Sequence, residues 1–312
     1  MPQFCRHNRF LHRCPICRPP EPAPAPNRTR RAAAPATARG SEVRVRRAPR
    51  PVGDGYRSEL VAGLHNREDA RRLAGELAFA AGRLAELATT PPGPYAEVAS
   101  APDPEEAIWL AFLIAYLSPL QGDDPFAAIA GARTSWAGGA LPALTGVVAG
   151  PRGAHDPARA DATLLAYRRF AQRAGGQAAA LAGEEHWPPE RRFARAFERL
   201  ALPGLHRAAR YDFLVTLGRA GRLDARPDSL FLAAAAPDDA TALGARRVLG
   251  IADPLLLDRR ARVLAEAAEV PLAAVELALW NWQAGADGRA TLGSSAAAEE
   301  AIRARAESAF GL

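Results

Sequence analysis

The sequence of 312 residues contains no lysine, so all 40 of its basic residues are arginines. Without a lysine amine the chain has no nucleophile of the kind that Schiff-base chemistry uses. The longest apolar run, residues 107–117, falls well short of the roughly 20 apolar residues that a transmembrane helix needs. We therefore expect neither lysine-dependent catalysis nor a membrane-spanning helix.

No uninterrupted apolar segment of the kind found in secretory signals occurs in the arginine-rich first 30 residues. We therefore expect a cytoplasmic protein. The whole sequence is 48% apolar, which is enough for a substantial hydrophobic core.

All three cysteines lie within the first 17 residues, in "FCRHNRFLHRCPICR". An odd number of closely spaced cysteines does not suit a disulfide framework and suits a metal site better. Cys5, Cys14 and Cys17 with one histidine would form a tetrahedral zinc site, structural rather than catalytic. His7 is the favoured fourth ligand and His12 the alternative, and no fourth cysteine exists for an iron–sulfur cluster. The other interpretation is a reduced thiol pair in a frayed terminus.

Positive charge is concentrated at the N-terminus, because residues 1–50 hold 12 arginines and two acidic residues. The remaining 262 residues hold 28 arginines against 32 acidic residues. A basic arm suits a phosphate backbone through counterion release, although a solvated charge run is equally consistent with it. We predict a zinc knuckle over residues 1–18, a disordered Pro/Arg-rich linker over 19–55 and a helical domain over 56–312.

The helical domain is predicted to be all-α, because apolar residues recur at helical spacing and strand alternation is absent. The first such pattern consists of Leu73, Leu77, Ala80, Leu84 and Leu87. "DPEE" at residues 103–106 has the form of an N-cap followed by proline, and predicts a helix that ends near residue 118. Residues 131–157 are rich in glycine and proline and predict a long irregular connection.

A Pro-Gly break interrupts two helical patterns in "LALPGLHRAARYDFL". Such a turn would expose the first amides of the second helix, and these favour an anion such as phosphate. Leu202, Gly204 and His206 lie in the turn. Arg207 and Arg210 follow on the second helix, where they are either phosphate contacts or ordinary exposed helix arginines.

Asp228, in "ARPDSLFL", is the main candidate for catalysis. Cleavage of an N-glycosidic bond develops positive charge on the sugar, and one carboxylate can stabilise that charge and orient a water. The alternative is that Asp228 caps a helix beginning at Ser229. Asp224 is the nearest rival, and Asp212 is expected to face solvent or pair with an arginine.

An extruded base would need an aromatic stacking surface. The candidates for the base pocket are Trp109, Tyr116 and Trp280, with Trp136 and Trp282 as further possibilities. Aromatic residues at helical spacing are more often part of a hydrophobic core, so only one or two of these are expected to contact a base.

These motifs resemble the helix-hairpin-helix DNA glycosylase superfamily, whose Leu-Pro-Gly-apolar-Gly hairpin grips the DNA backbone ahead of a catalytic aspartate. "LPGL" fits the first four hairpin positions, and His206 stands where the family has a second glycine. The resemblance implies that Asp228 is the catalytic residue. It also places Gln121, at the end of "LSPLQ", where the family has a residue that enters the duplex and fills the gap left by the base.

The lysine of the bifunctional family members would fall near Ala208, so the resemblance implies a monofunctional glycosylase. Within the superfamily the Cys/His knuckle, "SPLQ" and "LALW" are most similar to the alpha-glutamyl/putrescinyl thymine pyrophosphorylase group. Those relatives are associated with hypermodified phage bases and some act in anti-phage defence, which implies DNA with modified pyrimidines as partner. The competing hypothesis is a non-catalytic nucleic-acid-binding or adaptor protein, which the negative balance of residues 51–312 favours.

Overall fold

The computed structural model describes residues 53–312, so the predicted knuckle and most of the predicted linker lie outside the described part of the chain. The described part is helical and contains no strand, which confirms the all-α prediction. Its α-helices are α1 (Arg67–Thr89), α2 (Pro94–Ser100), α3 (Pro104–Leu117), α4 (Ala127–Gly131), α5 (Ala160–Arg173), α6 (Gln177–Leu181), α7 (Pro189–Arg199), α8 (Arg207–Arg219), α9 (Ala240–Leu249), α10 (Pro254–Ala267), α11 (Leu272–Gly288) and α12 (Glu300–Phe310).

Helix α1 confirms the first apolar pattern, since all five of its predicted core residues are buried. The Asn66 side chain caps the helix by accepting a hydrogen bond of 2.7 Å from the Asp69 N–H. This bond satisfies one of the amides that have no partner within the first turn of a helix. The apolar face of α1 packs against α11 and α12.

Helix α3 lies at the centre of the protein and packs against α8. Asp103 accepts the Glu105 N–H at 2.9 Å, and Pro104 occupies the first helical position, as predicted. Every residue from Ala107 to Leu117 is buried, because this helix is covered on all sides by other helices. None of the helices in residues 53–312 combines the length and hydropathy of a membrane span.

A second central helix, α11, packs against α1, α9 and α10. Residues 272–279 of α11 are all buried, including one carboxylate, Glu276. The helix is interrupted at Gly285, whose backbone is not helical. Helices α3 and α11 thus both contribute to one hydrophobic core, and Glu276 is a buried charge on the second of these helices.

The predicted irregular connection is present, because no regular element occurs between α4 and α5. Part of it covers the C-terminal end of α3, where the Gly150 N–H donates to the Leu117 carbonyl at 2.8 Å. A Cβ atom at position 150 would lie only 2.0 Å from the Pro119 carbonyl oxygen. Only glycine allows the loop to approach α3 this closely.

Candidate functional site

The Pro-Gly break forms a turn between two helices, which we call the α7–α8 hairpin. Helix α7 ends at Arg199 and α8 begins at Arg207. Pro203 and Gly204 are exposed in the turn, while Leu205 is buried below it and Leu202 is partly buried against the core. The amides of the first turn of α8 receive no capping bond from a side chain of the N-cap residue.

His206, the residue that departs from the family pattern, is the N-cap of α8, and its side chain is used elsewhere. Its Nε2 atom lies 3.1 Å from the carbonyl oxygen of Gly153, to which it donates a hydrogen bond. The neighbouring Ala154 N–H donates to the Tyr116 carbonyl at 2.8 Å. His206 thus connects the hairpin to the loop that covers the end of α3.

Gln121 lies in the segment that follows α3, and its side chain is exposed. The Leu120 N–H donates to the Pro125 carbonyl at 2.9 Å and closes the loop that carries Gln121. Through the loop at residues 150–154, this end of α3 is connected to the hairpin.

The segment that carries Asp228 packs against both helices of the hairpin. Arg207, at the start of α8, donates from Nη1 to the Leu230 carbonyl at 3.1 Å. The Phe231 ring stacks on Phe197 of α7, with ring centroids 4.2 Å apart. Asp228 is two residues from Leu230, so its backbone is held in place by the hairpin.

The Asp228 side chain is exposed, and within the described residues no hydrogen bond or ion pair engages its carboxylate. No α-helix begins directly after Asp228. The next regular element is a short 3₁₀ helix, Leu232–Ala234. The predicted helical segment at Ser229 was wrong, and helix capping does not account for Asp228. The two other aspartates considered for this role each form an ion pair: Asp224 pairs with Arg192, and Asp212 pairs with Arg152.

Arg207 and Arg210 are buried, with 1% and 7% of their surface exposed, which argues against the predicted phosphate contacts. Arg210 donates from Nη1 to the Phe197 carbonyl at 3.2 Å, and its guanidinium lies 4.3 Å from the centre of the Phe197 ring. Arg207 is bound within the protein by carboxylates. Both side chains stabilise the hairpin from below and are not presented to a ligand.

Below the hairpin lies a group of buried charges that the sequence analysis did not find, here called the Glu276 cluster. Glu276 accepts hydrogen bonds from Arg152 at 2.8 Å and from Arg207 at 2.7 Å. Asp212 binds the same Arg152, and Asp239 binds the same Arg207. The cluster joins the loop over α3 to α8, α9 and α11, so it fixes the elements that carry the candidate site.

Ionisation of the cluster is maintained by its internal ion pairs. Burial opposes ionisation of Glu276, but Arg152 and Arg207 outweigh burial and hold the pKa of Glu276 below its ordinary value. Asp239 follows the same pattern, since Arg207 outweighs burial and lowers the pKa of Asp239. Glu276 and Asp239 therefore remain charged at neutral pH beside the two guanidinium groups, which is the condition under which such a buried cluster is tolerated.

Two of the three predicted base-pocket residues are core residues. Trp109 is buried, and its Nε1 atom donates to the Thr134 carbonyl at 2.9 Å. Tyr116 is fully buried, and burial raises the pKa of its hydroxyl to about 12. Trp280 is partly exposed and lies under the Arg152 guanidinium at 4.7 Å. Trp109 and Tyr116 have no face free for a base, and of these three residues only Trp280 has an exposed part. Of the two further possibilities, Trp136 is partly exposed and Trp282 is buried.

Gly204 has a structural role that explains its identity. Its φ angle is +77°, and a Cβ atom there would lie 2.1 Å from the Thr163 hydroxyl oxygen. We expect Gly204→Ala to lower the free energy of unfolding by about 1–3 kcal/mol, because alanine is strained at this φ angle and clashes with Thr163. Chemical denaturation measures the loss. In a Thr163→Ala background the loss should be smaller; an unchanged midpoint for Gly204→Ala alone would contradict this conformation.

No protein-family model, curated protein or solved structure matches the chain. Among residues 53–312, no group of three or more His, Cys, Asp or Glu side chains is placed to hold a metal ion. The predicted zinc ligands Cys5, His7, Cys14 and Cys17 lie outside the described residues. The case for a function therefore depends on the hairpin, Gln121 and Asp228.

Proposed function

We propose that the protein is a monofunctional DNA glycosylase-like enzyme that releases a modified base from DNA. The observation that carries the proposal is the packing of the Asp228 segment against both helices of the α7–α8 hairpin. Such an enzyme needs a hairpin that binds the DNA backbone and, beside it, a carboxylate that no other protein group occupies. The resemblance described above makes a hypermodified pyrimidine the preferred substrate and anti-phage defence the preferred setting.

Each part of the site has a separate task in this proposal. The exposed Leu202–His206 turn contacts the DNA backbone through the amides at the start of α8. Gln121 enters the duplex and fills the gap left by the extruded base. Asp228 stabilises the positive charge that develops on the sugar.

The reaction is a hydrolysis. The bond between C1′ of the sugar and the base nitrogen breaks, and its electron pair leaves with the base, which takes up a proton. The oxygen of a water molecule bonds to C1′, and the water gives up one of its two protons. Because the chain has no lysine, no lysine Schiff base forms on the sugar, and the expected product is an intact abasic strand.

The direct test of the proposal uses purified full-length protein and DNA from a phage that carries hypermodified pyrimidines. We expect abasic sites in this DNA without strand cleavage, and far fewer in matched unmodified DNA. Binding of several modified DNAs without release of any base would favour the second candidate, a nucleic-acid-binding or adaptor protein. The burial of Arg207 and Arg210 favours the form of that candidate in which the N-terminal arginine arm binds the nucleic acid and the helical domain only packs, since it leaves fewer free cations at the hairpin.

Gln121→Ala is expected to slow base release from duplex DNA by about tenfold, because the gap left by the extruded base would remain unfilled. Release from single-stranded DNA should change much less, since no duplex has to be opened. Single-turnover kinetics on the two substrates measures both effects. Gln172→Ala, another exposed glutamine, is the control, and an equal loss on both substrates would contradict a wedge role.

For the N-terminal residues we propose a structural zinc held by Cys5, His7, Cys14 and Cys17. The full-length protein is expected to contain about one zinc ion per chain, as a Cys₃His donor set binds. Cys14→Ser should abolish most of the bound zinc, as measured by elemental analysis. Metal-free protein of unchanged stability would contradict the proposal. The zinc contents of His7→Ala and His12→Ala, compared with each other, identify the histidine that is the fourth ligand.

A further inference from the structure

A cavity of about 420 Å³ lies beside Asp228, between the end of α8 and the start of α11. Its volume is within the range of about 300–1,000 Å³ that is usual for small-molecule sites. The described residues that line it are Val215, Gly218, Arg219, Ala225, Arg226, Pro227, Pro271, Leu272 and Ala273. Two of these are arginines and none is acidic.

Arg219, the last residue of α8, is the central feature of this cavity. It is partly buried, and within residues 53–312 it makes no ion pair. Burial lowers the pKa of Arg219, and the neighbouring positive charge of Arg83 lowers it further. Arg83 is itself 4% exposed, and its Nε atom has no hydrogen-bond partner in the described part of the chain.

The other arginine of the cavity, Arg226, differs from Arg219 because it forms an ion pair with Glu190. Partly buried cations without a carboxylate partner are costly, since burial removes solvation that no opposite charge replaces. A bound anion would supply the missing charge to Arg219. Val215, Leu272 and Ala273 provide an apolar wall for the uncharged part of a ligand.

We propose that this cavity binds the anionic group of a nucleobase-sized ligand, with Arg219 as the main contact. The shared chemistry is a carboxylate or phosphate oxygen that accepts from a guanidinium. Two sources fit it, namely the phosphate of a nucleotide and an acidic substituent on a base. The inference goes beyond the proposed function because it concerns binding and stands whether or not Asp228 cleaves a bond.

The test is calorimetric titration of full-length protein with two pairs of probes, each an anion and its uncharged counterpart. Thymidine 5′-monophosphate against thymidine examines the phosphate, and 5-carboxyuracil against uracil examines the carboxylate. At least one anion should bind more tightly than its counterpart. Arg219→Gln should weaken that binding by about tenfold or more, as expected for loss of one charge-assisted hydrogen bond.

Two controls separate a binding site from a general charge effect. Arg195→Gln removes an exposed arginine on α7 that pairs only with Glu198, and it should bind the anion as the wild type does. Arg219→Lys should retain part of the affinity, and thermal unfolding shows whether each variant is folded. Equal binding of charged and uncharged probes, no binding of either anion, or unchanged binding by Arg219→Gln would overturn the proposal. Loss of base release in Asp228→Asn with normal anion binding would leave it standing.

Discussion

Asp228→Asn is expected to reduce base release by about 100-fold to 1,000-fold, the usual cost of removing one group that stabilises charge in a transition state. Asparagine has nearly the same shape as aspartate but carries no charge to offset the charge on the sugar. The Asp228 side chain is exposed and makes no contact in the described residues on which the fold depends. The variant should therefore unfold at the same temperature as the wild type.

Asp224→Asn is the matched control for this experiment. Asp224 lies four positions earlier on the same segment and is also exposed, but it pairs with Arg192. Its replacement should leave the rate of base release within a small factor of the wild type. Equal activity of Asp228→Asn and the wild type would remove Asp228 from the mechanism, and a selective loss in Asp224→Asn would transfer the role to Asp224.

Glu276→Gln is expected to lower the free energy of unfolding by about 3–5 kcal/mol, the cost of breaking a buried ion pair on one side. Glu276 accepts from both Arg152 and Arg207, and all three side chains are almost completely buried. Without the carboxylate charge, each arginine keeps only one acidic partner in a site that water does not reach. Urea denaturation monitored by circular dichroism measures the change.

Glu198→Gln is the control, because Glu198 forms an exposed ion pair with Arg195 one turn away on α7. Surface pairs of this kind contribute about 0–1 kcal/mol, so the control should be nearly as stable as the wild type. A loss of less than about 1 kcal/mol for Glu276→Gln would mean that the cluster does not hold these helices together as described. The folded fraction of the variant should also lose base release, since the cluster fixes Arg207 and the Asp228 segment.

Much of the fold could be predicted because the signals are local. Asp103 and Pro104 mark the start of α3. The Asp103 side chain accepts a hydrogen bond from an amide two residues later, and the ring of Pro104 fixes its own backbone angle. The Pro-Gly break predicts a turn for the same reason. Element type and approximate boundaries therefore followed from neighbouring residues alone.

The roles of Arg207 and Arg210 could not be predicted, because their partners are distant in the sequence. Glu276 is 69 positions from Arg207, and no pattern near the hairpin indicates that the two side chains meet. One signal was present, however, since Glu276 interrupts the apolar segment "LAAVELALW", of which residues 272–279 are all buried. A carboxylate in such a position needs a buried cation, and this requirement could have pointed to Arg207.

The same limit applies to Trp109 and Tyr116, which sequence alone could not separate from base-stacking residues. Both belong to α3, and the covering of α3 on all sides by other helices leaves their rings inside the core. Trp280, in the middle of α11, differs because part of its ring is exposed. Exposure of an aromatic ring depends on tertiary packing, which periodicity within one helix does not determine.

In the proposed function, Asp228 is held by the α7–α8 hairpin and promotes release of a modified base. The most direct measurement is mass spectrometry of the small molecules released from hypermodified phage DNA by the wild type and by Asp228→Asn. We expect the intact modified base in the wild-type reaction and almost none with the variant, although both bind the DNA. Release of the same base at the same rate by both proteins would contradict it.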